Sequence, residues 1–262
     1  KDAIIAENAS PLFRLAPYIV FGAMVAAAAV IPSMGTGLPF RSAADAIALV
    51  GLLAIARVFM SLAAMDIGTA FGTLGARRDM MIGFLAEPAL LMVIFVASLI
   101  SATTALPLIA ERLVVQPLAL YPSLAFTAVA FTMVLLAENA RIPVDNPATH
   151  LELTMIHEAM LLEYSARHLA LMEWAAALKL FNYACIGFAL FVPWGASIGE
   201  TGIGALALSI PALLAKLVVA GLWLALLETV SAKLRVFRAP EFLATAFMFA
   251  VLGLLVHLLL GA

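Results

Sequence analysis

Seven long apolar runs constrain the fold of this chain more than any other feature of its sequence. Each run is long enough to cross a bilayer, because about 20 apolar residues span roughly 30 Å of hydrocarbon. Backbone amides in lipid are satisfied only within helices or closed barrels, so we predict seven transmembrane helices. Their predicted cores are Leu15–Ile31, Ala43–Met65, Met80–Ser101, Leu118–Ala137, Trp174–Trp194, Leu206–Leu227 and Phe242–Leu260.

Composition agrees with a membrane protein. Hydrophobic residues make up 65% of the chain and charged residues only 11%, whereas soluble domains contain about 25% charged residues. We therefore predict an all-α polytopic membrane helix bundle that forms one domain over residues 1–262. The net charge of −2 argues against a nucleic-acid partner, because phosphate recognition needs a concentrated basic surface. Since the chain enters its first apolar run soon after Lys1, we expect an eighth helix to precede it.

The basic residues predict an orientation, since Lys and Arg collect in cytoplasmic connections. Threading the seven helices places nine basic residues on one side of the membrane and two on the other. The nine are Lys1, Arg14, Arg77, Arg78, Arg141, Arg167, Lys233, Arg235 and Arg238, and the two are Arg41 and Arg112. Three connections should then face the cytoplasm and form a docking platform for a soluble partner. They are the Gly-rich loop Asp66–Asp79, the polar stretch Glu138–His168 and the basic loop Glu228–Pro240.

The polar stretch holds five of the sixteen acidic residues and three of the four histidines. These are Glu138, Asp145, Glu152, Glu158 and Glu163, with His150, His157 and His168. Burial and like charges raise carboxylate pKa values, and histidine titrates near neutral pH, so such a cluster can hold and pass protons. The alternative, an ordinary solvated loop, is favoured for His168 and Glu173. A proton-carrying role is favoured for the acids that have apolar neighbours, Glu138, Asp145, Glu152 and Glu163.

Local signals predict the structure of this stretch. Glu138 and Arg141 are three residues apart at the end of the fourth helix and should share one face. Asn146, which is followed by proline, has the features of a helix N-terminus. We expect the amphipathic segment that begins there to continue, with a bend, into the fifth membrane helix. Glu163 and Arg167 have the i, i+4 spacing of a helical ion pair.

No metal-binding motif is apparent. His157 and Glu158 begin like an HExxH zinc motif, but Leu161 occupies the position of the second histidine. The single cysteine, Cys185, forms neither an internal disulfide nor an iron–sulfur site by itself. We therefore expect no cofactor in this chain, so any electron-carrying centres would belong to other subunits.

Three cations lie inside the predicted helices: Arg57, Lys179 and Lys216. A charge at the centre of a membrane helix costs about 2.5–3.5 kcal/mol on insertion scales, so it normally faces a bundle interior or a wet cavity. We favour a buried polar role for Arg57 and Lys216. Lys179 follows Trp174 by five residues, and snorkelling to the interface is a credible alternative for it.

Glu87 is an acid inside the third predicted helix. It precedes Pro88, which removes one internal backbone hydrogen bond. A carboxylate beside such a helix defect is suited to carry a proton. It is equally suited to pair with Arg57 or Arg78.

Two segments resemble one family of membrane subunits. The first contains Glu138, Arg141, Pro143, Asp145, Glu152-Leu153 and Glu163-Tyr164-Ser165, and the second is Leu74–Pro88, in which Arg78 and Glu87 are nine residues apart. The first resembles the motif E-x-x-R-x-P-x-D…E-L…E-Y-S of complex I subunit 1, the H subunit of bacterial NADH:quinone oxidoreductase. It is also similar to the homologous membrane subunits of group 4 energy-converting nickel–iron hydrogenases, of the hydrogenase-4 and formate hydrogenlyase type.

The resemblance implies a bundle of eight membrane helices in a bacterial or archaeal cytoplasmic (inner) membrane. Such a subunit anchors a hydrophilic redox arm, lines a quinone or quinone-like cavity, and starts a proton path into antiporter-like membrane subunits. The nickel–iron centre and the iron–sulfur clusters are expected in partner subunits. On this interpretation residues 138–170 are the coupling loop. The proton-transfer candidates are Glu87, Glu138, Asp145, Glu152, Glu158 and Glu163, and the electrostatic partners are Arg57, Arg78, Arg141 and Lys216.

Departures from the complex I pattern favour the hydrogenase branch. Ala148 and His150 replace two acids that complex I usually has, and Met172-Glu173-Trp174 looks hydrogenase-like. The quinone-cavity subunit of respiratory complex I is the alternative within the family. A free-standing secondary ion transporter is the alternative from another class, and it would show two related halves with discontinuous helices. No such internal symmetry is apparent. Redox chemistry next to the loop would then drive protons through Glu138 toward Glu87.

Overall fold

The computed structural model describes residues 9–37, 44–115, 121–145, 156–197, 203–232 and 238–260, and these form helices without strands. The helices are α1 (Pro11–Val30), α2 (Ala46–Asp66), α3 (Ala70–Ser101), α4 (Leu106–Val115), α5 (Ser123–Glu138), α6 (His157–Leu161), α7 (Ala166–Phe191), α8 (Ile203–Val230) and α9 (Ala239–Leu260). Six of them, α1, α2, α3, α7, α8 and α9, are long and apolar enough to cross a membrane. The chain is a multi-pass membrane protein, and the predicted all-α bundle is confirmed.

Each of the seven predicted apolar runs overlaps one observed helix. The fourth run is represented by α5, whose 16 residues measure about 24 Å at the usual rise of 1.5 Å per residue. The short helix α4 was not among the seven predicted helices. It places Leu106, Ile109 and Leu113 in the bundle core, so its apolar face stabilises the end of the bundle at which it lies.

The helix α3 contradicts the predicted Gly-rich loop Asp66–Asp79. It begins at Ala70, where the Thr69 Oγ1 atom accepts a hydrogen bond from the Gly72 N–H at 3.3 Å. A Cβ atom on Gly72 would lie 2.8 Å from the Ala64 carbonyl oxygen, and one on Gly75 would lie 2.7 Å from that of Ile156. These glycines therefore permit close packing of α2 and of the segment at the start of α6, and they do not break the helix.

Connections that follow α1, α3 and α7 meet at one end of the bundle. The Thr36 N–H donates to the Ser197 carbonyl at 3.0 Å, and the Ala46 N–H donates to the Thr104 carbonyl at 2.9 Å. Asp45 caps α2 by accepting from the Ile47 N–H at 2.8 Å. These contacts agree with the threading, which places the connections after the first, third and fifth predicted helices on the side of Arg41 and Arg112.

The opposite end, which we call the polar end, is formed by the start of α1, the junction of α2 and α3, the segment 139–145, α6 and the end of α8. The Ser10 N–H donates to Asp66 Oδ2 at 3.0 Å. The Tyr164 hydroxyl donates to the Phe13 carbonyl at 3.1 Å. Arg141 Nη1 lies 3.5 Å from Glu228 Oε1. Parts of all three connections predicted to share one side are therefore found at this end.

The amphipathic segment that was predicted to continue with a bend into α7 is interrupted before α7, and its predicted start at Asn146 lies outside the described residues. The chain leaves helical geometry between Leu161 and Ala166. Within that link the Tyr164 ring stacks on the Phe13 ring with 4.0 Å between centroids. The stacking and the hydrogen bond to the Phe13 carbonyl hold the link against α1, which separates α6 from α7.

The helix α3 lies at the centre of the bundle and packs against α2, α5 and α9, while α1 packs against α2 and α7. The helix α8 stands apart from the others, and its apolar side chains such as Leu208, Val219 and Leu222 are exposed. An exposed apolar surface suits lipid contact. Buried polar groups are therefore expected to contact other side chains in the interior near α3.

Candidate functional site

The guanidinium of Arg57, on α2, is the centre of a buried ionic cluster. Arg57 is 7% exposed. Its Nε atom lies 3.8 Å from Asp79 Oδ2, its Nη1 atom lies 4.0 Å from Glu87 Oε1, and its Nη2 atom directly contacts Glu138 Oε2. Three carboxylates from α3 and α5 thus surround one cation, which compensates for its removal from water. The predicted buried polar role of Arg57 agrees with this geometry.

One face of α3 supplies two of these acids and the space between them. Asp79, Gly83 and Glu87 recur every four residues, which places them along one side of a helix. A Cβ atom on Gly83 would collide with Arg57 Nη1 and would lie 2.8 Å from Arg57 Cδ. Gly83 therefore leaves the space that the guanidinium occupies between the two carboxylates.

The helix α7 adds a second cation to the cluster. Lys179 Nζ lies 2.9 Å from Glu138 Oε2, and the two side chains are 15% and 4% exposed. This geometry argues against the snorkelling alternative for Lys179, because its ammonium turns toward an acid of the bundle. Glu138 is the last residue of α5, so it receives Arg57 from one side and Lys179 from another.

The resulting Arg57 cluster consists of Arg57, Lys179, Asp79, Glu87 and Glu138. The Ser61 hydroxyl also donates to Asp79 Oδ2 at 3.3 Å. Two cations face three carboxylates, so one additional proton neutralises the cluster. An unbalanced charge is costly in a medium of low dielectric constant, and the cluster is accordingly suited to bind a proton.

A polar cavity of about 370 Å³ opens beside the cluster. Its ionisable lining side chains are Glu138, Arg141, Asp145, His157, Glu158 and Lys179. A second cavity of about 20 Å³ is lined by Arg57, His157 and Lys179 together with apolar side chains. The polar cavity thus connects the segment that follows α5 with the buried cluster.

Asp145 is buried and organises one wall of the polar cavity. Its Oδ2 atom accepts hydrogen bonds from the Ile156 N–H at 3.2 Å and from the His157 N–H at 3.4 Å. A carboxylate at the first turn of α6 satisfies backbone donors that otherwise lack partners. Asp145, one of the predicted site residues, therefore stabilises the first turn of α6 beside the cavity.

His157 has a lowered pKa. Burial is the main cause, and the positive charges of Lys179 and Arg57 act in the same direction, while Asp79 and Asp145 oppose them. The ring is consequently neutral near pH 7, with one N–H donor and one acceptor nitrogen. The sequence placed His157 in the acidic stretch without distinguishing it from its neighbours.

The remaining predicted residues are more dispersed. Glu158 is half-buried at the polar cavity, Glu163 is exposed on the link before α7, and Arg78 is half-buried near the start of α3. Glu152 lies outside the described residues. Since Glu163 is not helical, the predicted helical pair with Arg167 is wrong.

Two further predictions about basic residues are wrong. The helix α5 ends at Glu138, so Arg141 does not share its face and instead pairs with Glu228 of α8. Lys216 is half-buried, and its Nζ atom donates to the Val192 carbonyl at 2.6 Å. It lies above the Phe188 ring at 5.7 Å from the centroid, and it does not join the Arg57 cluster.

Sequence reasoning missed Asp79 and the role of Lys179. The four-residue spacing of Asp79, Gly83 and Glu87 was a signal that a search for i, i+4 patterns would have found. The contact of Lys179 with Glu138 joins positions 41 residues apart in sequence, so no local pattern reveals it.

Comparisons with known proteins agree on the relationship of this chain. The family model described as NADH dehydrogenase matches residues 1–259. The chain is 32% identical to formate hydrogenlyase subunit 4 of Escherichia coli (strain K12) over 242 residues, which cover 92% of this chain and 78% of the relative. It is 31% identical to hydrogenase-4 component C of the same strain over 195 residues, which cover 74% of this chain and 61% of the relative.

A solved structure has the same fold. The chain is similar to one in the structure of the membrane-bound sulfane sulfur reductase, an archaeal respiratory membrane complex, with a TM-score of 0.82 and 19% identity. The match covers 97% of this chain and 81% of the other. At this level of identity the similarity establishes the fold.

Proposed function

This chain belongs to the NADH dehydrogenase family of membrane subunits (complex I subunit 1 type), and from that premise we propose a specific role for it. It is the membrane anchor and proton-coupling subunit of a complex I-like redox-driven proton pump. Within the family we assign it to the group 4 energy-converting [NiFe] hydrogenase and formate hydrogenlyase branch. Two of its relatives, a formate hydrogenlyase subunit and a hydrogenase-4 component, support that assignment.

The observation that carries the proposal is the Arg57 cluster at the inner wall of the polar cavity. Glu138 contacts both cations and also lines the cavity. Glu87 lies eight residues beyond Asp79, about 12 Å further along α3. The acids therefore extend from the cavity to Glu87, whose side chain is 35% exposed, and their unbalanced negative charge provides for one proton.

Coupling follows from a change in charge or hydration at the polar end. A docked redox subunit that gains or loses charge changes the proton affinities of the cavity acids, including Glu138 and Glu158. A proton then moves from the cavity to Glu138 and onward within the cluster toward Glu87. Such coupling requires a redox state that interacts differently with the two protonation states, because equal interaction shifts no equilibrium.

The partners proposed are a hydrophilic redox arm, with hydrogenase large and small subunits or their equivalents, and antiporter-like membrane subunits. The arm docks on the polar end, where Glu163 is exposed, and this end faces the cytoplasm in the inner membrane of a bacterium or archaeon. Among the described residues, no group of three His, Cys, Asp or Glu side chains is arranged to hold a metal ion. As part of the same proposal, we assign the nickel–iron and iron–sulfur centres to partner subunits.

A quinone-cavity role, as in respiratory complex I, is the alternative within the family. The family description favours it, and a volume of about 370 Å³ falls in the usual range for small-molecule sites. Six ionisable side chains line this cavity, whereas small-molecule sites usually have only a few polar groups. These ionisable groups support proton entry over quinone binding.

Purification of the intact complex followed by proton measurements in inverted vesicles tests the proposal. We expect the chain to copurify with nickel–iron and iron–sulfur subunits. Redox-driven proton uptake should fall about a hundredfold in Glu138→Gln, since proton-transfer groups typically contribute a factor of 10²–10⁴. Glu173→Gln is the matched control, because Glu173 is exposed on α7 and does not line the cavity. Uptake at the wild-type level in Glu138→Gln, or purification without redox subunits, would contradict the proposal.

A further inference from the structure

Tyr183 of α7 is a buried tyrosine beside the Arg57 cluster. Its side chain is 1% exposed, and its hydroxyl group donates a hydrogen bond to the Glu138 carboxylate. Lys179 lies four residues earlier on the same face of α7, and its Nζ atom is 2.9 Å from Glu138 Oε2. One face of α7 therefore supplies both a cation and a hydroxyl group to the same acid.

The Tyr183 ring is held in place by packing against α5. Its centroid lies 6.3 Å from that of the Phe131 ring, and Phe131 is itself 4% exposed. Gly187 leaves space for Phe131, since a Cβ atom at Gly187 would lie 2.9 Å from Phe131 Cε1. Phe131 and Glu138 both belong to α5, so the helix that holds the ring also carries the acid that the hydroxyl group contacts.

The two cations leave the orientation of the Glu138 carboxyl group open. Arg57 and Lys179 both contact the same oxygen atom, Oε2. Contacts at one oxygen allow the other oxygen to turn about it, so a further contact is needed to fix the group. The Tyr183 hydroxyl group, carried by a fixed ring, supplies that contact. Orientation matters here, because a proton-transfer group has to lie within hydrogen-bond reach of its donor and its acceptor.

The three contacts also respond differently when Glu138 takes up a proton. Arg57 and Lys179 attract Glu138 through its negative charge, and protonation removes that charge. Tyr183 is a neutral donor, and its hydroxyl group can bond to the carboxylate or to the carbonyl oxygen of the protonated acid. Of these three partners, Tyr183 is therefore the one whose contact does not depend on the charge of Glu138.

We propose that Tyr183 is a positioning residue that holds the Glu138 carboxyl group in one orientation in both of its protonation states. This inference rests on the proposed function and adds a residue to it. Glu138 takes a proton from the polar cavity and releases it toward Glu87. The Tyr183 hydroxyl group keeps its own proton and its hydrogen bond to Glu138 throughout.

Deletion of the hydroxyl group tests the proposal in the assembled complex. Tyr183→Phe keeps the ring that packs against Phe131 and removes one hydrogen bond to Glu138. Redox-driven proton uptake by inverted vesicles should fall about tenfold, as expected for the loss of one hydrogen bond to a charged group. Reduction of a soluble dye by the redox arm reports assembly and should stay at the wild-type level.

Infrared difference spectroscopy during redox turnover distinguishes positioning from a purely structural role. The carboxylic acid C=O band that disappears in Glu138→Gln is assigned to Glu138, and its frequency depends on the hydrogen bond that the carbonyl oxygen accepts. We expect this band to persist in Tyr183→Phe and to move to a higher wavenumber, because the carbonyl oxygen has lost a donor. A structural role alone would reduce the amount of assembled complex and leave the band where it is.

Tyr121→Phe is the matched control. Tyr121 precedes α5, and its ring lies 6.3 Å from the His257 ring, the same distance that separates the rings of Tyr183 and Phe131. Tyr121 does not line the polar cavity. Proton uptake and the C=O band of this variant should both match those of the wild type.

The outcomes separate this proposal from the proposed function. Wild-type uptake in Tyr183→Phe overturns the role of Tyr183 while the pump itself stands. Reduced uptake with an unshifted band, or failure of Tyr183→Phe to assemble, shows a structural role and also overturns it. Absence of redox-driven uptake in the wild type refutes both proposals together.

Discussion

Arg57 and Lys216 are both cations within apolar helices, yet their surroundings differ. Arg57 is enclosed by Asp79, Glu87 and Glu138 in the bundle core. Lys216 is half-buried on α8 and donates to one backbone carbonyl beside an aromatic ring. A single charge in an apolar run therefore does not define a site, because its role depends on the acids that other helices bring to it.

Loss of the central cation should have the largest effect. Arg57→Ala leaves the three acids with only Lys179, and breaking a buried ionic pair typically costs about 3–5 kcal/mol. We expect the complex to assemble poorly or to unfold at a much lower temperature. Lys216→Ala removes a half-buried cation and should change the melting temperature only slightly. Equal destabilisation of the two variants, measured by thermal unfolding in detergent, would remove the distinction between them.

A methyl group added at Gly83 tests the packing around Arg57 without removing any charge. Gly83→Ala places Cβ against the guanidinium of Arg57, and overpacking of this kind costs about 1–3 kcal/mol. Gly51→Ala on α2 is the control, because a Cβ atom added there would have no heavy atom within 4 Å. At that position alanine should stabilise the helix by about 1 kcal/mol. Thermal unfolding should therefore shift in opposite directions, and a stabilised Gly83→Ala variant would contradict the described packing.

A smaller effect should appear in the pH dependence of stability. The pKa of His157 is lower in the folded protein than its ordinary value, so the unfolded chain binds the extra proton more readily. Stability is then complete above the ordinary histidine pKa of about 6.5 and falls as the pH drops below it. His157→Gln should flatten this acid-side decrease in melting temperature. An unchanged pH profile in that variant would show that other groups cause the decrease.

The smallest effect should come from the pair Arg141 and Glu228. Both side chains are about a third exposed or less, and the atoms are 3.5 Å apart. Partly solvated pairs usually contribute about 0–1 kcal/mol. Glu228→Gln should therefore lower the melting temperature marginally, and added salt should reduce the difference from the wild type. A large loss that persists in high salt would show that the attachment of α8 depends on this pair.

The sequence predicted the helices well because a membrane span leaves a long apolar run. The prediction failed for glycine, which is common both in loops and where helices pack closely. Gly72 and Gly75 permit close helix packing, and they were interpreted as loop residues. Arg57, Glu87 and Glu138 were identified as candidates because charges inside apolar runs are rare. Their assembly with Lys179 depends on contacts between distant helices, and it emerges only from the folded bundle.

The structure also separates the acids of the predicted proton path by their location. Glu138, Asp145 and Glu158 converge on the polar cavity, whereas Glu163 lies exposed on the link before α7. The sequence alone names all four acids as proton-transfer candidates. Burial and the neighbouring cations distinguish them in the structure.

Infrared difference spectroscopy during redox turnover tests the central claim most directly, because it detects carboxylates that gain or lose protons. The intact complex is compared with Glu138→Gln and Glu87→Gln, with Glu173→Gln as control. We predict a carboxylic acid C=O signal that follows the redox state in the wild type and in the control and is lost or altered in the two cluster variants. A redox-dependent carboxylic acid signal identical in all four proteins would contradict the claim that the Arg57 cluster exchanges protons in step with electron transfer.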